Sequence, residues 1–207
     1  LSAATLIERA FAGPADAPRD TTSERILDAA LDLVAASGLR ALTMDDVAAR
    51  AGVGRMTVYR RFGERGRLID ALAAREARRC IAELDRAVEP DAPVADAIAQ
   101  GFAASLRLIR EHPVLARLSQ HEPQAALAAL NADGGAILAL GRAFVAGRIR
   151  EAMARGEVDT GLEPEATAEL LVRLGFSFLV MPSSVVPLEG KGAAEFARAR
   201  IAPILTS

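Results

Sequence analysis

Arg55, Arg60, Arg61, Arg65 and Arg67 crowd into the run from Gly52 to Arg67, opposed there only by Glu64. Interleaved with them are Met56, Thr57 and Tyr59. This set suits noncovalent recognition of a polyanion: arginine donates two bonds to guanine, threonine and methionine touch a thymine methyl, and tyrosine reaches phosphate. Bond-making chemistry has far less to stand on. There is no Gly-x-Ser-x-Gly elbow and no dinucleotide or phosphate-loop glycine pattern, and His112 and His121 sit in no metal-ligand spacing. Their neighbours Glu111 and Glu122 read as helix-end decoration. Cys80, the single cysteine, has no partner for an internal disulfide or a zinc site. An enzyme is therefore the weakest of the function classes, and no cofactor or metal is expected.

The whole chain of 207 residues carries a net charge of −2. That excludes a protein coating nucleic acid over a broad surface, which needs an extended basic field to displace counterions. A short basic element on an acidic body is the reading. Apolar residues make up 51% of the chain, with one Tyr, seven Phe and no Trp. The core must then be built from Ala, Leu, Val and Ile, a mixture suited to closely packed helices. The most apolar stretch, Leu170 to Leu188, is broken by Arg173, Pro182 and Pro187 and is too short to span a bilayer. Residues 1–13 carry Glu8 and Arg9 where a signal peptide has a basic start. A reducing, cytoplasmic location with no membrane partner is expected.

The elements that present the basic run are short and well punctuated. Residues 1–20 read as an extension ending in a linker, Gly13 to Asp20. A first helix opens with the capping-box pattern Thr21-x-x-Glu24 and stops at Gly38. Thr43 begins a second, its hydroxyl capping the amide near Asp46, and Gly52 ends it. A third spans Arg55 to Phe62; after Gly63 a longer fourth runs through Leu68 and Leu72 to about Val88. Beyond Pro90–Pro93, helical patterns recur at roughly 94–110, 114–120, 123–131, 134–155, 163–181 and 192–205, each separated by Pro or Gly signals. No strand-like alternation or repeat interrupts them. The fold class expected is all-α, with domains at 21–74 and 75–207.

Short second and third helices joined by Ala51-Gly52-Val53-Gly54 have the form of a helix-turn-helix. At about 100° per residue, Val58 and Phe62 share one face of the third helix while Met56 and Arg60 point away, flanked by Thr57 and Tyr59. A plainer reading stands beside this one: Tyr59 and Phe62 as ordinary core aromatics, and the arginines as a solvated face. Phe62 is assigned to packing.

Through roughly residues 22–75 the sequence resembles the TetR-like regulators. The resemblance rests on Gly38-Leu39-Arg40-Ala41-Leu42-Thr43-Met44-Asp45-Asp46-Val47-Ala48, on Ala51-Gly52-Val53, and on Thr57-Val58-Tyr59-Arg60-Arg61-Phe62. It implies that Thr43 caps the second helix beside the DNA backbone and that Tyr59 contacts phosphate. Arg55, Met56, Thr57 and Arg60 occupy base-reading positions, Arg61 replaces a common histidine near phosphate, and Arg65 stands where a lysine usually anchors the fourth helix. Two departures bear on recognition: Gly54 lies where the family often has Ser, so a hydroxyl contact is lost, and Met56 lies where Gly, Pro or Ala is common.

Beyond about residue 75 the resemblance is architectural. The stretch from Glu111-His112-Pro113 through His121-Glu122-Pro123, with the tail from Phe196 to Leu205, is similar to QsdR-type regulators linked to lactone degradation. One apolar stripe comprises Ile98, Phe102, Leu106 and Ile109; another, Ile137, Gly141 and Phe144, ends in Arg148. Such stripes are core by default, but a ligand pocket between bundle helices has the same walls. Phe102, Leu106 and Phe144 are candidate walls. His121, Arg148, Arg173 and Ser177 are candidate anchors, each as readily a surface group or a structural hydrogen bond. Leu170 to Met181 is apolar on nearly all sides, so the helices near 163–181 and 192–205 are expected to form a homodimer interface. The resemblance implies a ligand-responsive repressor whose dimer binds a near-palindromic operator in double-stranded DNA, a small-molecule effector tilting the fourth helix. A constitutive or architectural DNA-binding protein is the alternative.

Overall fold

The computed structural model describes residues 20–121, 124, 136–158, 161–181, 185–186 and 189–206. Among them every regular element is helical, as the composition and spacing require. The expected extension, apart from Asp20, and nearly all of the expected helix 123–131 lie outside the described residues. The chain divides into two compact units, one through Arg79 and one from Cys80.

The first unit begins with α1 (Thr21–Ser37), followed by a 3-10 turn at Leu39–Ala41, α2 (Met44–Ala51), α3 (Arg55–Phe62) and α4 (Arg65–Ala87), which continues past the unit's end. The start of α1 differs from the capping box read from Thr21 and Glu24. Asp20 is the cap, its Oδ1 accepting the Ser23 N–H at 2.8 Å, and Thr21 is already helical. Aspartate one residue earlier caps at least as well as threonine, and the Glu24 carboxylate is drawn to Arg75 instead, at 3.2 Å. Thr43 caps α2 as expected, accepting from the Asp46 N–H at 3.1 Å and donating to its Oδ2 at 2.6 Å. Ile26 and Ala30 from α1, Val47 from α2, Val58 from α3 and Leu68 from α4 are fully buried. One short apolar face per helix thus makes a single small core.

Arg75 sits against that core with a side chain only 6% exposed. Its Nη1 meets Asp28 Oδ1 at 2.7 Å and its Nε meets Glu76 Oε1 at 2.7 Å, while Nη2 is buried without a hydrogen bond. Arg79 joins the same carboxylates from outside, reaching Glu76 at 3.3 Å. Glu24 and Asp28 on α1 are in this way clamped to α4.

The second unit holds the end of α4, then α5 (Val94–Glu111), α6 (Pro113–His121), α7 (Ala136–Ala154), α8 (Pro164–Val180), α9 (Gly190–Arg200) and α10 (Pro203–Thr206). His112 adopts the extended conformation that a following proline favours, which separates α5 from α6. The single helix expected at 192–205 starts earlier and is interrupted: α9 ends at Arg200 and Pro203 opens a separate turn. Proline has no N–H to continue the ladder and its ring collides with the carbonyl four residues back.

Small side chains set this unit's packing. Ala99 of α5 and Ala197 of α9 are fully buried together with Ile201. Ala146, Ile149 and Ala152 of α7 form a second cluster with Ala168 of α8 and Leu205. At Gly141, a Cβ would lie 3.0 Å from Val172 Cγ1, so α7 and α8 approach there more closely than any other residue type permits without a shift. No described helix is long and apolar enough to cross a membrane.

Candidate nucleic-acid interface

The turn between α2 and α3 depends on Gly52, which holds φ 63° and ends α2 in the left-handed conformation. Glycine adopts it without penalty. Arg25, on α1, donates from Nη2 to the Ala51 carbonyl at 2.6 Å. The end of α2 is therefore capped from another helix by a residue that the sequence reading passed over. Its only sequence signal is that it is the single basic residue of α1.

Val58 and Phe62 turn inward, fixing which face of α3 is left outside. Met56 is 75% exposed, Arg60 is exposed, and Thr57 and Tyr59 are half-buried beside them. This is the orientation expected from the helical spacing. Gly54 precedes α3 with no side-chain cap, so the amides of the first turn are not covered by a hydroxyl at that position.

The five cations of the run have different surroundings. Arg55 pairs with Asp45, Nε to Oδ1 at 2.9 Å, and lies over the Tyr59 ring, 5.3 Å from its centroid. The hydrogen bond to the Tyr59 hydroxyl, and then the Asp45 charge, hold the guanidinium above its ordinary pKa. Arg61 is only 18% exposed: it pairs with Asp20 and donates to Ser23 Oγ at 3.0 Å, so it ties α3 to the start of α1. Arg65 donates to the carbonyls of Leu42 at 2.8 Å and Leu39 at 2.6 Å, bracing the turn before α2. Arg60 and Arg67 are exposed, and neither has an ion pair among the described residues. Thr43 sits at the N-terminus of α2, its hydroxyl shared with Asp46. Arg61 and Arg65 thus shape the head, while Arg60 and Arg55 are exposed on α3 with Tyr59 half-buried beside them.

The candidate ligand residues do not converge in the same way. Phe102 packs edge-on to Phe178, centroids 5.7 Å apart, and near Phe196 at 6.1 Å. Leu106 is buried and Phe144 half-buried. His121 is exposed at the end of α6. Arg148 pairs with Glu151 at 3.0 Å and Asp85 at 3.9 Å. Arg173 is 62% exposed and bound to Glu169 at 2.8 Å. Ser177 donates to the Leu174 carbonyl on its own helix at 2.6 Å.

Among the described residues every regular element is helical, and a basic, partly aromatic helix face follows a glycine turn, the form of a helix-turn-helix head. Residues 26–72 match the family of bacterial regulatory proteins described as the tetR family. That match covers the head alone, from within α1 into the start of α4. Among curated relatives it is similar to the HTH-type transcriptional repressor DrrR1 of Streptomyces coeruleorubidus, 33% identical over 119 residues, 53% of this chain and 40% of that protein. The chain spans less than half the length of the curated relatives first matched, 40% and 48%. Among solved structures, GusR of Salmonella enterica shares the fold with a TM-score of 0.68 at 21% identity, covering 90% of this chain and 96% of that one. The TetR-family repressor QsdR of R. erythropolis aligns with a TM-score of 0.58 at 26% identity, covering 91% of this chain and 96% of that one. The similarity to QsdR-type regulators read from the sequence agrees with this match.

Proposed function

We propose that this protein is a transcriptional regulator, a ligand-responsive repressor that binds a near-palindromic operator as a homodimer. The observation that carries the reading is the face of α3: Met56 and Arg60 exposed and Thr57 and Tyr59 beside them, with Val58 and Phe62 buried behind. Arg60 offers a fork of donors to a guanine edge, Met56 and Thr57 offer apolar contact to thymine, and Tyr59 with Thr43 reaches the backbone. Arg55 shares the base-reading face. Arg61 and Arg65 act near phosphate chiefly by holding the head in shape. Such a protein works where the chromosome is, in the cytoplasm.

Dimerisation through α8 and α9 is supported by apolar side chains left uncovered on this chain. Leu170 at 53% exposed and Met181 at 63% are large hydrophobic groups that a second subunit would cover. A two-fold pair of heads reads half-sites about one DNA turn, ~34–36 Å, apart. The effector would occupy the interior of the second unit among Phe102, Leu106 and Phe144. Of the polar groups proposed as its anchors, Arg148, Arg173 and Ser177 are already paired with neighbours and His121 is exposed. That observation favours a second reading, constitutive DNA binding without effector control.

Selection of genomic fragments by the intact chain, followed by titration of the selected duplex, tests both. A palindromic site bound at about 10⁻⁸–10⁻¹¹ M supports the regulator. Its absence overturns it. Release of that site by one member of a metabolite panel, by about 5–150-fold, separates the ligand-responsive repressor from the constitutive binder.

A further inference from the structure

Asp45 places a carboxylate on the face where a polyanion would bind. It lies in the first turn of α2, and its Oδ1 stands 2.9 Å from Arg55 Nε at the start of α3. Arg55 Nη2 donates to the Tyr59 hydroxyl at 3.4 Å, with the guanidinium over that ring. One guanidinium is thus held between a carboxylate on α2 and an aromatic ring on α3. The Arg55 and Asp45 side chains are 62% and 59% exposed. An ion pair so open to water contributes little to stability, so its consequence falls on what binds there.

Resting on the regulatory reading above, we infer that Asp45 is a positioning residue for DNA recognition, which with Tyr59 orients Arg55 and cancels its charge. Phosphate attraction is sequence-independent and grows with each uncompensated cation. Base-edge readout depends on where the N–H donors point. With Nε on Asp45 and one Nη2 proton on Tyr59, Arg55 keeps its Nη1 group and the second Nη2 proton at the tip of the fork. That arrangement suits a base edge with two acceptors and weakens a bare phosphate contact. Asp45 makes Arg55 a selective group.

The test compares the intact chain with Asp45→Asn, Asp45→Glu, Arg55→Ala and the Asp45→Asn, Arg55→Ala pair. Each is titrated by fluorescence anisotropy against the duplex selected by the wild type and a scrambled duplex, at about 50 to 200 mM salt. Asp45→Asn should bind the scrambled duplex more tightly, with the log K against log salt slope steeper by about one. Its ratio of specific to scrambled affinity should fall about fivefold or more. Asp45→Glu should restore most of that ratio, and in the Arg55→Ala background Asp45→Asn should leave it unchanged. An Asp45→Asn protein with wild-type slope and ratio overturns the inference. So does an equal loss of ratio in the Arg55→Ala background, which would mean that Asp45 acts without Arg55. A wild type with no sequence preference at any salt overturns the regulatory reading and this inference with it.

Discussion

Arg60 and Arg148 both stand out in the sequence as candidate binding cations, and the two units treat them differently. On α3 Arg60 stays exposed because Val58 and Phe62 are drawn inward, and eight residues of helix offer only one face to bury. On α7 Arg148 finds Glu151 one turn away and Asp85 at the end of α4. On α3 helical periodicity decides that Met56 and Arg60 reach outward, although Arg61 on the same helix is held by Asp20 and Ser23. In the larger unit several helices meet, and a polar group's role depends on partners that are remote in sequence.

The largest test of this contrast is core truncation in the head. Leu68→Ala should cost about 2–5 kcal/mol, because Leu68 is fully buried in a core too small to refill the cavity. Chemical denaturation followed by circular dichroism reads the loss. A midpoint within error of wild type would mean that the head's core does not hold its faces in register. Next, the Tyr59→Ala, Arg60→Ala pair should weaken operator binding roughly 100-fold, at about 1–3 kcal/mol per base or phosphate contact, while leaving thermal stability near wild type. Arg148→Ala should leave DNA affinity unchanged. If the two variants behave alike, the division of labour drawn here fails.

Within the second unit, two glycines of α7 sharpen the point. Gly141→Ala places a methyl 3.0 Å from Val172 and should destabilise by about 1–3 kcal/mol. Gly147→Ala meets nothing within 4 Å and should stabilise by about 0.5–1 kcal/mol through helix propensity. Opposite signs in thermal melts are the expected result; equal signs would show that the α7–α8 contact yields freely.

The smallest effect concerns pH. The Ser23 amide, and then Arg61, hold the Asp20 carboxyl below its ordinary value. A carboxyl with a lowered folded pKa stabilises the head above its unfolded value, about pH 3.9, and that contribution is lost as pH falls through the folded value. Asp20→Asn should flatten the decline in melting temperature below about pH 4. An unchanged acid limb would show that the Asp20 cap and its Arg61 pair do not contribute there.

Much of the head was legible from spacing. Gly38, Thr43, Gly52 and Gly63 punctuate it as helix ends and caps, and the position of Val58 and Phe62 foretold the outward face of α3. These features act within a few residues, which is the range over which a linear pattern carries information. Arg25 and Arg75 carry no local signal of a partner, and Arg61 and Arg65 stood out only as cations near phosphate or at the start of the fourth helix, yet each of the four donates across at least twenty residues to a carbonyl or carboxylate on another element. Asp45 shows the same limit, since its pairing with Arg55 exists only once α2 and α3 are folded against each other. In the second unit the α-helical class and most breaks followed from Pro and Gly, but Pro203 divided a segment whose periodicity continued through it.

Local backbone preference and the period of apolar residues thus fixed the helices, the turn and the outward side chains of α3. Tertiary structure decided the arginines' partners, the close approach at Gly141 and the clamp on Arg75. Those depend on electrostatics and packing between atoms far apart in the chain, and a guanidinium on a long flexible stem finds its partner only after folding has brought the acceptor within reach.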